Sequence, residues 1–314
     1  MKNSRLLIIT FLILGACQTV TKQTTHETRP EPPATGPVLA APGGLPEEVP
    51  LPSVRETPIE PTPSVPVTAQ RPRLALLLGP GGLRAFAHAG LLQEVAKAKI
   101  PVSWVGGLEM GALPAALFAL KGQPFEAEWQ MMKLKEDDLI KRGLLTGASP
   151  LKADTLGEPL KLMFGGARVE DAKIPSMCSS YSIGKKQTFL MSRGPFSQML
   201  LYCLPALPLF ESYQGNGANP LALTQLAQAA RQKGAQLLVY VDLLTENGLA
   251  ESENGFLWGL FQQSLESQSR QVTEVFKVGG LSGFRAFDKR REMLQKGQEA
   301  GRRLVQLLQT KYGY

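Results

Sequence analysis

The sequence predicts an α/β fold in which a mostly parallel central sheet carries helices on both faces. Residues 74–78 and 101–106 are short apolar runs typical of buried strands, and each leads into a glycine-rich turn. Each turn is followed by a segment with the apolar spacing of a helix, and a third buried strand is predicted at 236–242. The repeated order of strand, helix, strand and helix is typical of a parallel sheet covered by helices.

The remaining elements follow from the same patterns. Gly184 separates residues 174–181 from residues 187–191, which predicts a hairpin or two adjacent strands. Residues 221–232 have helical spacing, and residues 287–309 are predicted to form a closing helix. We therefore expect one α/β domain over residues 73–314.

Composition excludes several classes of protein. Of the 314 residues 43% are hydrophobic, so the chain can bury a sizeable core, and no apolar run suits a polytopic membrane protein. Two histidines and three cysteines are too few for a zinc site of Cys and His ligands, and we expect no metal and no cofactor. The net charge of +7 falls on residues 73–314, since residues 1–72 carry six basic and six acidic residues. This excess either serves solubility or favours an anionic partner such as phospholipid headgroups; we expect no nucleic-acid partner.

Residues 1–17 have the composition of an export signal. Basic residues precede an apolar stretch at 6–14 that is too short to span a bilayer. The sequence Leu14-Gly15-Ala16-Cys17 resembles the bacterial lipobox, which implies cleavage before Cys17 and lipidation of its sulfur. The alternative is an ordinary secretory signal with an incidental cysteine.

Residues 18–72 are predicted to form a disordered linker. Thirteen of the 24 prolines lie between Pro30 and Pro72, and large apolar residues are few. In polyproline form the linker would reach on the order of 150 Å. The expected location is the cell envelope, with a lipid anchor at the outer membrane facing the periplasm, because Gln18 is not the aspartate that favours inner-membrane retention in enterobacteria.

Four stretches of the folded part resemble the patatin-like phospholipase family, and the resemblance runs from about residue 73 to residue 309. In the family they form the first strand with its oxyanion loop and helix, the nucleophile elbow, the middle strands and an Asp-Gly-Gly loop. The resemblance implies a patatin-like three-layer sandwich. The stretches are LALLLGPGGLRAFAHAG at 74–90, VGGLEMGAL at 105–113, FGGARVEDAKIP at 164–175 with SRGP at 192–195, and QGNGANP at 214–220.

The resemblance also implies a Ser-Asp dyad, and both positions are substituted here. The family serine lies in Gly-x-Ser-x-Gly on a strained strand-to-helix turn, and the aspartate acts as its general base. Glu109 stands at the serine position and Gln214 at the aspartate position. A glutamine amide accepts no proton at neutral pH. Under this assignment, restored hydrolysis would need at least Glu109→Ser together with Gln214→Asp.

The oxyanion loop is altered as well. The first glycine of the family loop is Pro80 here, which has no N–H to donate. The loop residues that remain are Gly81, Gly82, Leu83 and Arg84. We expect the cleft between this loop and Glu109 to persist, because folds outlast the sites built on them.

These substitutions predict a membrane-anchored pseudo-hydrolase that binds lipid or a periplasmic protein. The first alternative is an active lipid acyl hydrolase in which Glu109 is the nucleophile, and the second is a structural envelope protein. Glu109 is otherwise a carboxylate held at a helix N-terminus by the dipole and by backbone amides. His88 and Asp242 are expected to be structural.

Two further questions stay open. Cys178 and Cys203 are predicted to be separate buried thiols because both lie in apolar sequence, although an oxidising periplasm would allow a disulfide. Seven basic residues between positions 285 and 303 either dock onto anionic lipid or form the solvated face of the closing helix.

Overall fold

The computed structural model describes residues 71–123, 125–142, 148–207, 209–245 and 255–314. They all belong to the second of the two units of the chain, Pro66–Tyr314. The predicted export signal at 1–17 and nearly all of the predicted linker at 18–72 lie outside the described residues. No helix within the described ranges combines the length and the apolar composition needed to cross a bilayer.

Seven strands form the central sheet, in the order β6-β5-β2-β1-β8-β9, with β7 paired to β5. Neighbours along β5-β2-β1-β8-β9 are parallel, and β6 and β7 run antiparallel to β5. The predicted mostly parallel sheet is confirmed. The strands are β1 (Leu74–Leu78), β2 (Val102–Gly107), β5 (Ser176–Ser182), β6 (Gln187–Met191), β7 (Asn216–Ala218), β8 (Leu237–Asp242) and β9 (Glu274–Lys277), and a separate antiparallel pair is β3 (Lys141–Arg142) with β4 (Ala148–Ser149).

The four helices predicted from the sequence lie close to their expected positions, and the other described helices were not predicted. The first, predicted over residues 86–99, ends two residues earlier, and the closing helix begins three residues later and continues to Tyr312. The described helices are α1 (Phe86–Lys97), α2 (Ala112–Lys121), α3 (Glu126–Met132), α4 (Glu136–Leu139), α5 (Gly157–Phe164), α6 (Phe196–Cys203), α7 (Leu223–Gln232), α8 (Gly255–Gln268) and α9 (Arg290–Tyr312).

Two hydrophobic cores cover the two faces of the sheet. Along β1, Leu74, Leu76 and Leu78 belong to one core, and Ala75 and Leu77 belong to the other. The alternation follows from the two-residue period of a strand. Helices α1, α2 and α9 pack on the first face, and α7 and α8 pack on the second. The predicted three-layer arrangement is thereby confirmed.

Glycines allow α1 and α9 to approach closely. A Cβ atom added at Gly90 would lie 2.1 Å from the carbonyl oxygen of Leu294, and one added at Gly297 would lie 2.0 Å from that of Ala87. These distances are far below van der Waals contact, so both positions require glycine. The α1–α9 packing holds the helix that follows the first glycine-rich loop against the sheet.

The prediction of two separate thiols is wrong. Cys178 on β5 and Cys203 at the end of α6 form a disulfide, with a Cα–Cα distance of 6.0 Å, and both are fully buried. Their apolar sequence contexts were correct indicators of burial. The contexts carried no information on distance, which depends on how α6 packs on β5.

Candidate functional site

The loop that follows β1 contains two positions, Gly79 and Gly82, that require glycine. A Cβ atom at Gly79 would lie 2.8 Å from both the Tyr240 hydroxyl oxygen and the Val241 carbonyl oxygen. Gly82 has a φ of +55°, in the left-handed region that favours glycine. The start of the loop therefore lies close against β8, where the N–H of Gly79 donates to the Val241 carbonyl oxygen at 2.9 Å.

The turn after β2 is a strained elbow that leads into α2. Leu108 donates its N–H to the Leu78 carbonyl oxygen at 2.9 Å, which holds the end of β2 beside the end of β1. Glu109 has a φ of +50°, a conformation that non-glycine residues rarely adopt. A Cβ atom at Gly107 would lie 2.4 Å from the Ala112 Cα, and one at Gly111 would lie 2.5 Å from the Gly79 carbonyl oxygen. The spacing Gly-x-Glu-x-Gly is thus a steric requirement of this elbow.

The glycine loop and the elbow meet at the Glu109 carboxylate. Oε2 of Glu109 accepts hydrogen bonds from the backbone N–H groups of Gly81 and Gly82, each at 2.9 Å. Oε1 has no hydrogen-bond partner, and the residue is only 1% exposed. Two convergent N–H groups form an anion site, and the anion within it belongs to the protein itself.

Burial dominates the titration of this carboxylate. Desolvation raises the pKa of Glu109 to about 6, although hydrogen bonds from the backbone N–H groups of Gly81, Gly82 and Met110 act in the opposite direction. Near neutral pH the group is mainly ionised, so the hydrogen bonds from the loop are charge-assisted.

His88 is held away from acid–base chemistry. Its Nε2 lies 2.9 Å from the Gly79 carbonyl oxygen, which accepts and never donates, so Nε2 carries the proton. Complete burial lowers the pKa of His88 to about 4, and the ring is neutral. The expected structural role of His88 matches this contact, which fixes the start of the glycine loop.

Gln214 lies at the tip of a hairpin that precedes β7. Gln214 and Gly215 have φ values of +49° and +72°. The exposed Gln214 side chain accepts a hydrogen bond from the Tyr202 hydroxyl at 3.1 Å and donates one to the Tyr213 hydroxyl at 3.3 Å. It makes no hydrogen bond to Glu109, whose Oε1 has no partner.

Strand register shows why these two side chains do not meet. Gly107 at the end of β2 pairs with Cys178, and β7 pairs with β5 further along. The Gly215 carbonyl oxygen accepts the N–H of Ile183, five residues beyond Cys178. The structure brings the loop to Glu109, whereas the Gln214 side chain is hydrogen-bonded to Tyr202 and Tyr213 instead.

Comparison with known proteins agrees with this fold and with this order of loop and elbow. The family model for patatin-like phospholipases matches residues 76–224. The domain belongs to the patatin-like phospholipase family. Lysophospholipase NTE1 of Coccidioides immitis is 28% identical over 234 residues, which cover 66% of this chain and 14% of that protein. Lysophospholipase NTE1 of Saccharomyces cerevisiae is 25% identical over 208 residues, which cover 60% of this chain and 12% of that protein.

A third relative is of more similar size. An uncharacterized NTE family protein of Mycobacterium bovis is 25% identical over 125 residues, which cover 40% of this chain and 35% of that protein. This chain therefore spans about a seventh of the lysophospholipases and about a third of the mycobacterial protein.

Within this patatin-like domain, only two of the four predicted oxyanion-loop residues aim N–H groups at the elbow. The N–H of Leu83 donates to the Phe284 carbonyl oxygen at 2.9 Å, and that of Arg84 donates to the Gly81 carbonyl oxygen at 3.1 Å. Of the four loop residues named from the sequence, Gly81 and Gly82 donate to Glu109, and the N–H groups of Leu83 and Arg84 are bonded elsewhere. Pro80 does not abolish the anion site, since these two donors remain.

Arg84 is a buried structural cation. Its Nε donates to the Ser282 carbonyl oxygen at 2.8 Å, one terminal nitrogen donates to the Leu243 carbonyl oxygen at 3.0 Å, and its guanidinium stacks on Phe284. Burial lowers the pKa of Arg84 to about 10, opposed by the charge of Asp242. Asp242 accepts the N–H of Leu244 at 2.8 Å, in agreement with its expected structural role.

Within the described residues, the space between the loop and the elbow is closed. Gly81, Gly82 and Glu109 are all buried, and the carboxylate fills the space where a substrate oxygen would lie. The prediction that this cleft persists is wrong, because the side chain that replaces serine is long enough to reach the N–H groups. The described residues contain no group of three or more His, Cys, Asp or Glu side chains suited to a metal ion.

A second feature, which we call the apolar groove, was not predicted from the sequence. It has a volume of about 540 Å³. It lies beside β7 and the start of α8, and its lining includes Tyr181, Ile183, Leu207, Phe210, Leu257 and Phe261. The available indication was the apolar run Phe256-Leu257 with Leu260 and Phe261, although the Phe261 ring also packs against the buried Trp258.

Proposed function

We propose that this chain is a membrane-anchored member of the patatin-like family that does not hydrolyse esters and acts by binding lipid or a protein partner. The observation that carries the proposal is the position of the Glu109 carboxylate on the N–H groups of Gly81 and Gly82. The residue that replaces the nucleophile also occupies the site where a tetrahedral oxyanion would be stabilised.

Three chemical requirements of hydrolysis are unmet. The elbow offers no hydroxyl, and the anion site is filled by a negative charge that repels a second oxyanion. The family's base position holds Gln214, an amide that accepts no proton and is bonded to Tyr202 and Tyr213, and His88 is bonded to the Gly79 carbonyl oxygen. A covalent mechanism through Glu109 would still need a base to activate water in its second step.

Two observations support the proposed location in the cell envelope. The lipobox-like sequence ends at Cys17, which would carry the anchor. The disulfide between Cys178 and Cys203 belongs to an oxidising compartment, since thiols in the cytosol are kept reduced. Two or three acyl chains on one residue would hold the chain durably on a membrane.

The test is a hydrolysis assay on the purified full chain with p-nitrophenyl butyrate and with lysophosphatidylcholine. Glu109→Gln is the matched variant, because it keeps the shape of the side chain and removes the charge. We expect both proteins to hydrolyse the two substrates at the rate of buffer alone. Turnover by the wild-type protein that disappears in Glu109→Gln would instead establish a carboxylate nucleophile.

A further inference from the structure

The apolar groove is surrounded by apolar side chains that project into solvent from three separate elements. Ile183 lies in the turn between β5 and β6 and is 55% exposed; Leu207 lies in the segment after α6 and is 59% exposed. On the first turns of α8, Phe256 is 83% exposed and Leu260 is 47% exposed. Ile183 and Leu207 also line the groove itself. Soluble proteins rarely expose contiguous apolar patches of this kind without a binding role.

Helix α8 presents a continuous apolar face here. Phe256 and Leu260 are one turn apart and lie on the same side of the helix, and Leu257 between them lines the groove. Trp258 and Leu265 point the other way and are fully buried in the core. The outward face is therefore not required for packing within the described part of the domain.

The charges beside the groove favour an anionic surface. Lys185 and Lys186 directly follow Ile183-Gly184 at the tip of the β5–β6 turn, and both are exposed. Lys185 lies over the Phe189 ring, and neither lysine forms an ion pair with any described residue. One carboxylate, that of Glu211, also borders the groove, so the balance at the rim is positive.

We propose that this face docks onto the surface of a lipid bilayer that contains anionic phospholipid. The projecting apolar side chains enter the boundary between headgroups and acyl chains, and Lys185 and Lys186 lie against the phosphates. This inference goes beyond the anchor of the proposed function, because a long tether keeps the domain near a membrane without orienting it. Bilayer docking requires that these residues, which lie in turns and on one helix face beside the groove, reach the surface together.

The test is vesicle sedimentation of the chain from residue 17 onward carrying Cys17→Ser, so that no acyl anchor contributes. Vesicles of phosphatidylcholine alone are compared with vesicles that also contain phosphatidylglycerol. We expect binding to the mixed vesicles. Lys185→Gln with Lys186→Gln should weaken that binding about 30-fold, since each lysine near an anionic surface contributes about 1 kcal/mol. Leu207→Asp with Phe256→Asp should weaken binding to the mixed vesicles at least as much, because these charges would enter the interface.

Matched controls lie on other surfaces. Phe125→Asp with Leu162→Asp changes two apolar residues that are 57% and 84% exposed, and Arg302→Gln with Arg303→Gln removes two exposed charges from α9. Both control pairs should leave vesicle binding unchanged, and circular dichroism should show that every variant is folded.

Three results would overturn the proposal. The first is no binding to mixed vesicles, and the second is binding that only the Arg302 and Arg303 changes weaken, which would assign docking to α9. The third is a concentration-dependent dimer in analytical ultracentrifugation that Leu207→Asp with Phe256→Asp abolishes, which would assign the groove to a second copy of the chain. The hydrolysis assay is independent of all three, so failure here leaves the pseudo-hydrolase proposal intact.

Discussion

Oε2 of Glu109 lies 2.9 Å from the backbone nitrogen of Gly82, although the two residues are 27 positions apart in the chain. The contact exists because β1 and β2 are parallel neighbours whose ends meet at one edge of the sheet. There the loop after β1 supplies N–H groups, and the elbow after β2 supplies the carboxylate. The glycine loop and the elbow of the family are kept, but the anion bound between them is the Glu109 carboxylate of the protein itself.

The first prediction concerns pH. The pKa of Glu109 is 4.5 in the absence of structure, and burial raises it to about 6 in the folded protein. Between these pH values the unfolded chain has lost the proton that the folded chain keeps, so the free energy of unfolding falls as pH rises. The shift corresponds to about 2 kcal/mol. From about pH 4 to about pH 7, we expect the wild-type free energy of unfolding to fall by about 2 kcal/mol relative to that of Glu109→Gln. Urea denaturation at each pH measures this, and parallel pH profiles for the two proteins would contradict it.

The second prediction is that Glu109→Ser combined with Gln214→Asp does not restore hydrolysis. From the sequence alone, we expect this pair to be the smallest change that restores ester hydrolysis. The structure changes that expectation, because the Gln214 side chain is exposed and is bound to Tyr202 and Tyr213. Release of p-nitrophenol should stay at background for each single variant and for the pair. Turnover that needs both changes would mean that the hairpin bearing Gln214 reaches the elbow in solution.

The third prediction concerns the disulfide. It closes a loop with a sequence separation of 25 between buried residues. Loop closure of this size contributes about 3.5 kcal/mol by restricting the unfolded chain. Cys178→Ala with Cys203→Ala should lower the free energy of unfolding by about that amount in urea. A reducing agent should lower the free energy of unfolding of the wild-type protein, because the buried disulfide becomes accessible in the unfolded chain, and it should leave the double variant unaffected. Equal stability of the two proteins without reductant would contradict the prediction.

The fourth prediction tests the α1–α9 contact. Gly297→Ala places a methyl group 2.0 Å from the Ala87 carbonyl oxygen, which forces the two helices apart. We expect a loss of about 2 kcal/mol or more in the free energy of unfolding. Gly259→Ala on α8 is the matched control, because nothing lies within 4 Å of the added carbon. It should be neutral or stabilise the protein by up to about 1 kcal/mol, since alanine favours helix over glycine. The prediction would be contradicted if Gly259→Ala lowered the free energy of unfolding and Gly297→Ala did not.

The fifth prediction concerns the anchor. Mass spectrometry of the mature protein should find acyl chains on Cys17, and Cys17→Ser should move the protein from the membrane fraction to the soluble fraction of the envelope. Gln18→Ala is the control and should leave the modification in place. A mature protein that begins at another residue without lipid would contradict the lipobox assignment and would leave the geometry of the folded domain unaffected.

The sequence by itself determined the parallel sheet, the order of loop and elbow, and the substitution of glutamate for the serine nucleophile. These features are local: apolar runs of strand length mark β1, β2 and β8, and glycine spacing marks turns in which a Cβ atom cannot fit. The family resemblance extended this local information to the roles of Glu109 and Gln214.

Tertiary structure decided what depends on distance between remote residues. The Glu109 carboxylate could either leave a cleft or fill it. The outcome depended on the distance from the elbow after β2 to the N–H groups of the loop after β1, which the glutamate side chain is just long enough to span. The pairing of Cys178 with Cys203 depended on how α6 packs on β5. The register of β5 with β2 and β7 placed Gln214 at the tip of a remote hairpin. Sequence patterns report which face of an element is buried, and only the packed fold sets which buried faces and turns come into contact.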